Sequence, residues 1–106
     1  MDLGIKGRTA VVTGADSGIG WCTAQMLLDE GVRVVVSDKD EDALAESAAK
    51  LTGPQGAVTA VAADVTDPAS VAELHRRAVE ALGSVDILVQ SAGVTGAQGL
   101  FHEIDD

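Results

Sequence analysis

Apolar positions along this chain alternate between two rhythms. Residues 9–12, 32–37, 57–63 and 85–89 are short runs of Val, Ala, Ile and Leu. Such runs read as strands buried on both faces, as in a parallel sheet covered by helices. Between them the spacing becomes helical. Over residues 17–30, Ile19, Cys22, Met26 and Leu27 recur at i, i+3, i+7 and i+8, which predicts one buried face. Leu44, Ala48 and Leu51 give a second such stripe, and Val71, Leu74, Ala78 and Leu82 a third.

Punctuation residues agree with these elements. Gly31 follows Asp29 and Glu30 as a left-handed cap closing the first helix. Asp40 suits the N-cap of the second helix, with Glu41 and Asp42 in its first turn. Gly53-Pro54 is expected to stop that helix. Asp67-Pro68 reads as N-cap and first residue of the third, and Gly83 as its end. Glu73 and Arg77 stand at i, i+4 and predict a solvated ion pair. Residues 1–7 form a polar lead-in, and residues 94–106 read as a loop. Alternating strands and helices with short, right-handed connections predict an α/β fold. It is part of a doubly wound, Rossmann-like parallel sheet with strands in the order 3-2-1-4. The chain reads as one domain over residues 1–106.

Composition narrows the function classes. The chain has 106 residues, 17 acidic against 7 basic, and a formal net charge of −10. No basic patch is available to neutralise phosphates, so nucleic-acid and anionic-membrane partners are excluded. The N-terminus has no apolar leader and no stretch is long enough for a membrane span. The single cysteine, Cys22, fits a reducing cytoplasm, and on the expected helix face it reads as a small core residue.

Glycines 14, 18 and 20 fall between the first strand and the first helix. A strand, a glycine-rich turn and a helix start in one line make a phosphate site. The first N–H groups of a helix lack internal partners, the helix dipole adds positive potential, and glycines let a pyrophosphate approach the backbone. The other reading is a tight turn with no ligand. A nucleotide-hydrolase P-loop is excluded, because Trp21-Cys22 follows Gly20 where Lys-Ser/Thr would be needed.

The run Thr13-Gly14-x-x-x-Gly18-Ile19-Gly20 resembles the nucleotide-binding turn of the short-chain dehydrogenase/reductase family. The resemblance implies that Gly14, Ser17, Gly18, Ile19 and Gly20 surround a dinucleotide. Asp38 ends the second strand about 20 residues further on, where a dinucleotide fold places an acid for the adenosine ribose. A carboxylate there accepts from the 2′- and 3′-hydroxyls of NAD and repels the 2′-phosphate of NADP, so NAD is the expected cofactor. Lys39 beside it offsets part of that repulsion. The plainer reading, a turn aspartate, is weakened because Asp40 already caps the next helix. Asp64-Val65 ends the third strand. An acid there faces the ligand crevice, and the resemblance implies contact with adenine. The alternative is an aspartate bonding nearby turn amides. Gln90-Ser91-Ala92-Gly93 aligns with the family's Asn-Asn-Ala-Gly. Ala92 and Gly93 match and would let the backbone pass close to the cofactor. Gln90 keeps an amide where the family's first Asn helps hold neighbouring strands, and Ser91 departs.

The remaining candidates are structural. His75 reads as a flank of the third helix's apolar stripe. His102 shares no motif spacing with a nucleophile, Trp21 reads as packing, and no metal-ligand spacing exists.

The resemblance implies hydride transfer between nicotinamide and an alcohol or carbonyl substrate, with a Ser, a Tyr and a Lys doing the acid–base work. The chain contains no Tyr, so no catalytic residue is assigned. It is expected to be an N-terminal, cofactor-binding half, inactive alone. Its fourth strand would form an exposed edge that favours a homo-oligomer or pairing with a C-terminal half. The other readings are a stand-alone nucleotide-binding module, a fragment of an S-adenosylmethionine methyltransferase, and a structural fragment. Methyltransferases usually carry an acid before the first glycine, where this chain has Thr13.

Overall fold

The computed structural model describes residues 4–16 and 18–91. Among the described residues seven elements alternate: β1 (Thr9–Thr13), α1 (Gly18–Asp29), β2 (Arg33–Ser37), α2 (Glu41–Ala49), β3 (Val58–Ala60), α3 (Pro68–Leu82) and β4 (Ile87–Gln90). The strands are parallel and ordered β3-β2-β1-β4, as expected. Side chains alternate across the pleat. Ala10, Val12, Val34 and Val36 join Ala24, Leu27, Leu28 and Leu44 in one core, which α1 and α2 cover. Val11 and Val35 face the other way, onto Leu74, Ala78 and Leu82 of α3. Helices therefore lie on both faces of the sheet.

The register of β4 is fixed at its start. Thr9 Oγ1 donates to the Ser84 carbonyl at 2.6 Å, and the Thr9 N–H donates to Asp86 Oδ2 at 3.1 Å. The Asp86 N–H donates back to Thr9 Oγ1 at 3.1 Å. This polar knot occupies residues 84–86, so β4 begins at Ile87, two residues later than its apolar run suggested. Its pairing then sets Gln90 beside Thr13. Below α3, Arg33 Nη2 donates to the Leu82 carbonyl at 3.1 Å, placing a cation at the helix C-terminus, where the dipole favours it.

Asp40 and Asp67 cap α2 and α3 as expected, accepting from the Ala43 and Ala69 N–H groups at 3.0 and 3.1 Å. Gly31 and Gly83 close their helices at φ 83 and 84. Other expectations need correction. The buried stripe of α1 is Gly20, Ala24, Leu27 and Leu28. Ile19 and Met26 are 76% and 56% exposed, and Cys22 is exposed and not a core thiol. The face is set by Gly20, whose missing side chain lets the helix start close against the glycine turn. Helix α2 ends at Ala49, before Gly53-Pro54. There the Gln25 side chain pairs with the Thr52 backbone, donating at 2.9 Å and accepting at 3.0 Å, and draws the chain towards α1. Strand β3 keeps only three regular residues of the expected seven-residue run. Beyond it Val61 and Ala63 still donate to the Val36 and Asp38 carbonyls at 3.0 and 2.9 Å. Glu73 pairs with Arg76 at 2.6 Å and not with Arg77, and Arg76 also reaches Glu80 at 3.0 Å.

Candidate functional site

The carboxyl ends of the strands carry a row of polar side chains. Register places Ser37 and Gln90 on either side of Thr13. Thr13 Oγ1, Ser37 Oγ and Gln90 Nε2 are buried without a hydrogen-bond partner among the described residues. Such a group costs about 1–3 kcal/mol when unpaired, so three together mark an edge built to meet further polar groups.

The glycine turn crosses this row. Gly14 sits at φ 70, which L residues with a Cβ avoid, and so turns the chain sharply off β1. The turn then runs alongside the end of β2. The Ala15 N–H donates to the Ser37 carbonyl at 3.0 Å, and the Asp16 N–H to Asp38 Oδ2 at 2.9 Å. Asp38 Oδ1 accepts the Lys39 N–H at 2.7 Å. Asp38 therefore braces the turn from the end of β2. From the other side, Ser47 Oγ donates to Asp16 Oδ1 at 2.8 Å, and Trp21 Nε1 donates to the Ser47 carbonyl at 2.9 Å. Trp21 is thus tied across to the end of α2, half-buried and outside both core clusters.

The later glycines differ in surroundings. A Cβ on Gly18 would meet nothing within 4 Å. One on Gly20 would strike the Gly14 carbonyl and lie 2.5 Å from Ser91 Oγ. Gly18 therefore keeps open space at the helix start, and Gly20 keeps the helix against the strand ends. Ile19 projects into solvent beside them. A hollow of about 330 Å³ opens there, lined by Asp16, Gly18, Trp21, Cys22, Ser47 and Lys50.

Asp64 lies half-buried just past β3. Its Oδ1 accepts the Thr66 hydroxyl at 2.6 Å and the Thr66 N–H at 2.9 Å. These donors, with the Lys39 charge, hold its carboxyl below the ordinary aspartate value of 3.8. The turn-amide role foreseen as an alternative for Asp64 is thus present. Val65 lines a second, larger groove of about 690 Å³ between α3 and β4, with Val71, His75, Leu88 and Gln90. His75 is exposed. Ser17, Ala92, Gly93 and His102 lie outside the described residues. No cluster of three or more metal-ligating side chains occurs among the described residues, and no helix among them is long and apolar enough to cross a membrane.

Asp16, Ser47 and Ser91 carry contacts that the sequence did not single out. Ser91 Oγ donates to the Thr13 carbonyl at 2.6 Å and lies 3.2 Å from the Gly14 carbonyl. Its place directly after a strand end aligned with the glycine turn was the available signal.

Known proteins share this architecture. A family model described as short chain dehydrogenase matches residues 8–106. A 1-deoxy-11-beta-hydroxypentalenate dehydrogenase of Streptomyces avermitilis is 47% identical over 96 residues, covering 91% of this chain and 36% of that protein. The crystal structure of a short chain dehydrogenase from Mycobacterium smegmatis superimposes with a TM-score of 0.77 at 40% identity, over 85% of this chain and 38% of that one. A 3-ketoacyl-(acyl-carrier-protein) reductase from Brucella melitensis, crystallised with NADH, gives a TM-score of 0.72 at 36% identity, over 79% and 33%. The chain thus spans a little over a third of the length of the curated relative.

Proposed function

The chain belongs to the short-chain dehydrogenase family, and we propose that it supplies the NAD-binding part of an oxidoreductase acting on an alcohol or carbonyl group. The observation that carries this reading is the braced turn. Asp38 ties down the turn that leads from Gly14 into α1, and Gly18 and Gly20 form the start of that helix, with open space at Gly18.

The residues fit a dinucleotide. The N–H groups at the start of α1, with Ser17 and Ile19, would hold the pyrophosphate, because their partial positive charge suits an anion and no Cβ at Gly18 obstructs it. Asp38 would accept from the adenosine ribose hydroxyls. Its carboxylate already braces the turn, so ribose binding and turn conformation are coupled through one side chain. Asp64 and Val65 would border the adenine, and Gln90, Ala92 and Gly93 the nicotinamide-side ribose. Thr13, Ser37 and Gln90 supply unpaired polar atoms along that edge. NAD, when bound, supplies hydride exchange at its nicotinamide. No tyrosine exists in the chain, so the proton transfer that the resemblance assigns to a Tyr has no donor here. Alone, the chain binds and orients the cofactor without turnover. The complete reaction needs a further polypeptide segment to supply that proton donor.

The test is a calorimetric titration of NAD and NADP into the parent chain and Asp38→Ala. The parent favours NAD; the variant binds NAD at least tenfold more weakly and loses most of its discrimination. A parent chain that takes NADP more tightly would overturn the cofactor assignment.

A further inference from the structure

We propose that Ser91 is a positioning residue for the phosphate end of the site: its hydroxyl holds the glycine turn in the shape that aims the start of α1 at a pyrophosphate. The inference rests on the nucleotide-binding reading above and adds a residue to it. Ser91 stands just beyond β4 and is tied to the end of β1 twice. Its N–H donates to the Thr13 carbonyl at 3.2 Å, and its Oγ donates to the same oxygen at 2.6 Å. The hydroxyl also lies 3.2 Å from the Gly14 carbonyl, the first carbonyl past the left-handed corner at φ 70. It lies so near Gly20 that a Cβ there would stand 2.5 Å from Ser91 Oγ. One small side chain therefore touches the end of β1, the corner of the turn and the first turn of α1.

Asp38 and Ser47 brace the turn from the α2 side through Asp16. Ser91 is the brace on the β4 side. Without it, the Thr13 carbonyl keeps the Ser91 N–H but loses the shorter hydroxyl bond, the Gly14 carbonyl loses its hydroxyl neighbour, and a gap opens between the corner and Gly20. The turn can then rock while the strands stay paired, because the β1–β4 ladder is held separately at Thr9 and Asp86. The loss should fall on ligands that need the turn and spare those that reach only the adenosine end.

The experiment uses the full chain and Ser91→Ala. Dissociation constants for NAD and for adenosine are measured by calorimetry or NMR titration. Amide hydrogen exchange is followed at Ala15 and Asp16, with Val34, Val35 and Val36 as internal reference. Loss of one such hydrogen bond corresponds to about tenfold in affinity. The expected result is NAD weakened about tenfold, adenosine changed less than about twofold, and faster exchange at Ala15 and Asp16 with the reference amides unaltered. Equal weakening of both ligands, or unchanged NAD affinity and exchange, would overturn the proposal. An unsubstituted chain that fails to bind NAD at all would overturn the nucleotide-binding reading as well, whereas normal binding by Ser91→Ala would overturn only the role of Ser91.

Discussion

Substituting Gly20 and Gly18 should separate folding from binding within three residues of chain. A Cβ at Gly20 would press on the Gly14 carbonyl and Ser91 Oγ, the latter at 2.5 Å. Carbon and oxygen normally approach to about 3.3–3.6 Å, so the start of α1 must retreat by roughly 1 Å. The neighbours are backbone and a hydrogen-bonded hydroxyl, which cannot swing aside as a flexible side chain would. Overpacking of this kind costs about 1–3 kcal/mol, and a disturbed Ser91 bond adds about 1 kcal/mol. Replacing a helical glycine with alanine returns at most about 1 kcal/mol. Gly20→Ala should therefore lose about 2 kcal/mol, or roughly 10 °C in Tm for a domain of this size. Gly18 has nothing within 4 Å of its built Cβ, so Gly18→Val should stay within about 0.5 kcal/mol of the parent. Its branched side chain would instead occupy the proposed pyrophosphate position, and NAD binding should fall below detection. Thermal melts followed by circular dichroism and NAD calorimetry on both variants read the two effects. A Gly20→Ala chain that melts with the parent, or a Gly18→Val chain that loses stability but keeps NAD, would refute the division of roles.

The pH dependence of Asp64 has a defined sign. Its folded-state pKa is depressed by the Thr66 donors, so the turn's stabilisation is present above the ordinary value of 3.8 and fades as pH falls through the lower folded value. A carboxyl-carbon NMR titration should place its midpoint below 3.8, and Thr66→Val should raise it; a midpoint above 3.8 in the parent contradicts the turn. Thr9→Val should destabilise the chain by about 1–2 kcal/mol, because a buried hydroxyl that ties the start of β4 is replaced by a methyl. Urea melts measure it, and a neutral result would mean that the β4 register is held elsewhere.

Local signals in the sequence translated well where the physics is local. Asp67-Pro68 and Asp40 cap their helices because a cap depends on residues within one turn. The strand order followed from short right-handed connections. The stripe of α1 was misphased because Gly20 read as part of the turn, whereas it is the helix's contact with the strand ends. The bonds of Asp38 to the Asp16 N–H, of Asp16 to Ser47 and of Ser91 to the Gly14 carbonyl join residues 22, 31 and 77 positions apart. No periodicity encodes such contacts; they appear only once the sheet register is set. The Glu73–Arg77 spacing was equally good for a pair, but Arg76 reaches both Glu73 and Glu80 from one position.

The most direct test of the account is a residue-resolved NMR titration of the chain with NAD. Amide shifts should concentrate at Gly14, Ala15, Gly18, Asp38, Asp64 and Ser91, along the carboxyl ends of the strands. Arg33, Ser84 and Asp86, at the opposite ends, should stay still. Shifts confined to Val71, Leu74 and His75 on α3, or no shifts at millimolar NAD, would contradict this binding mode.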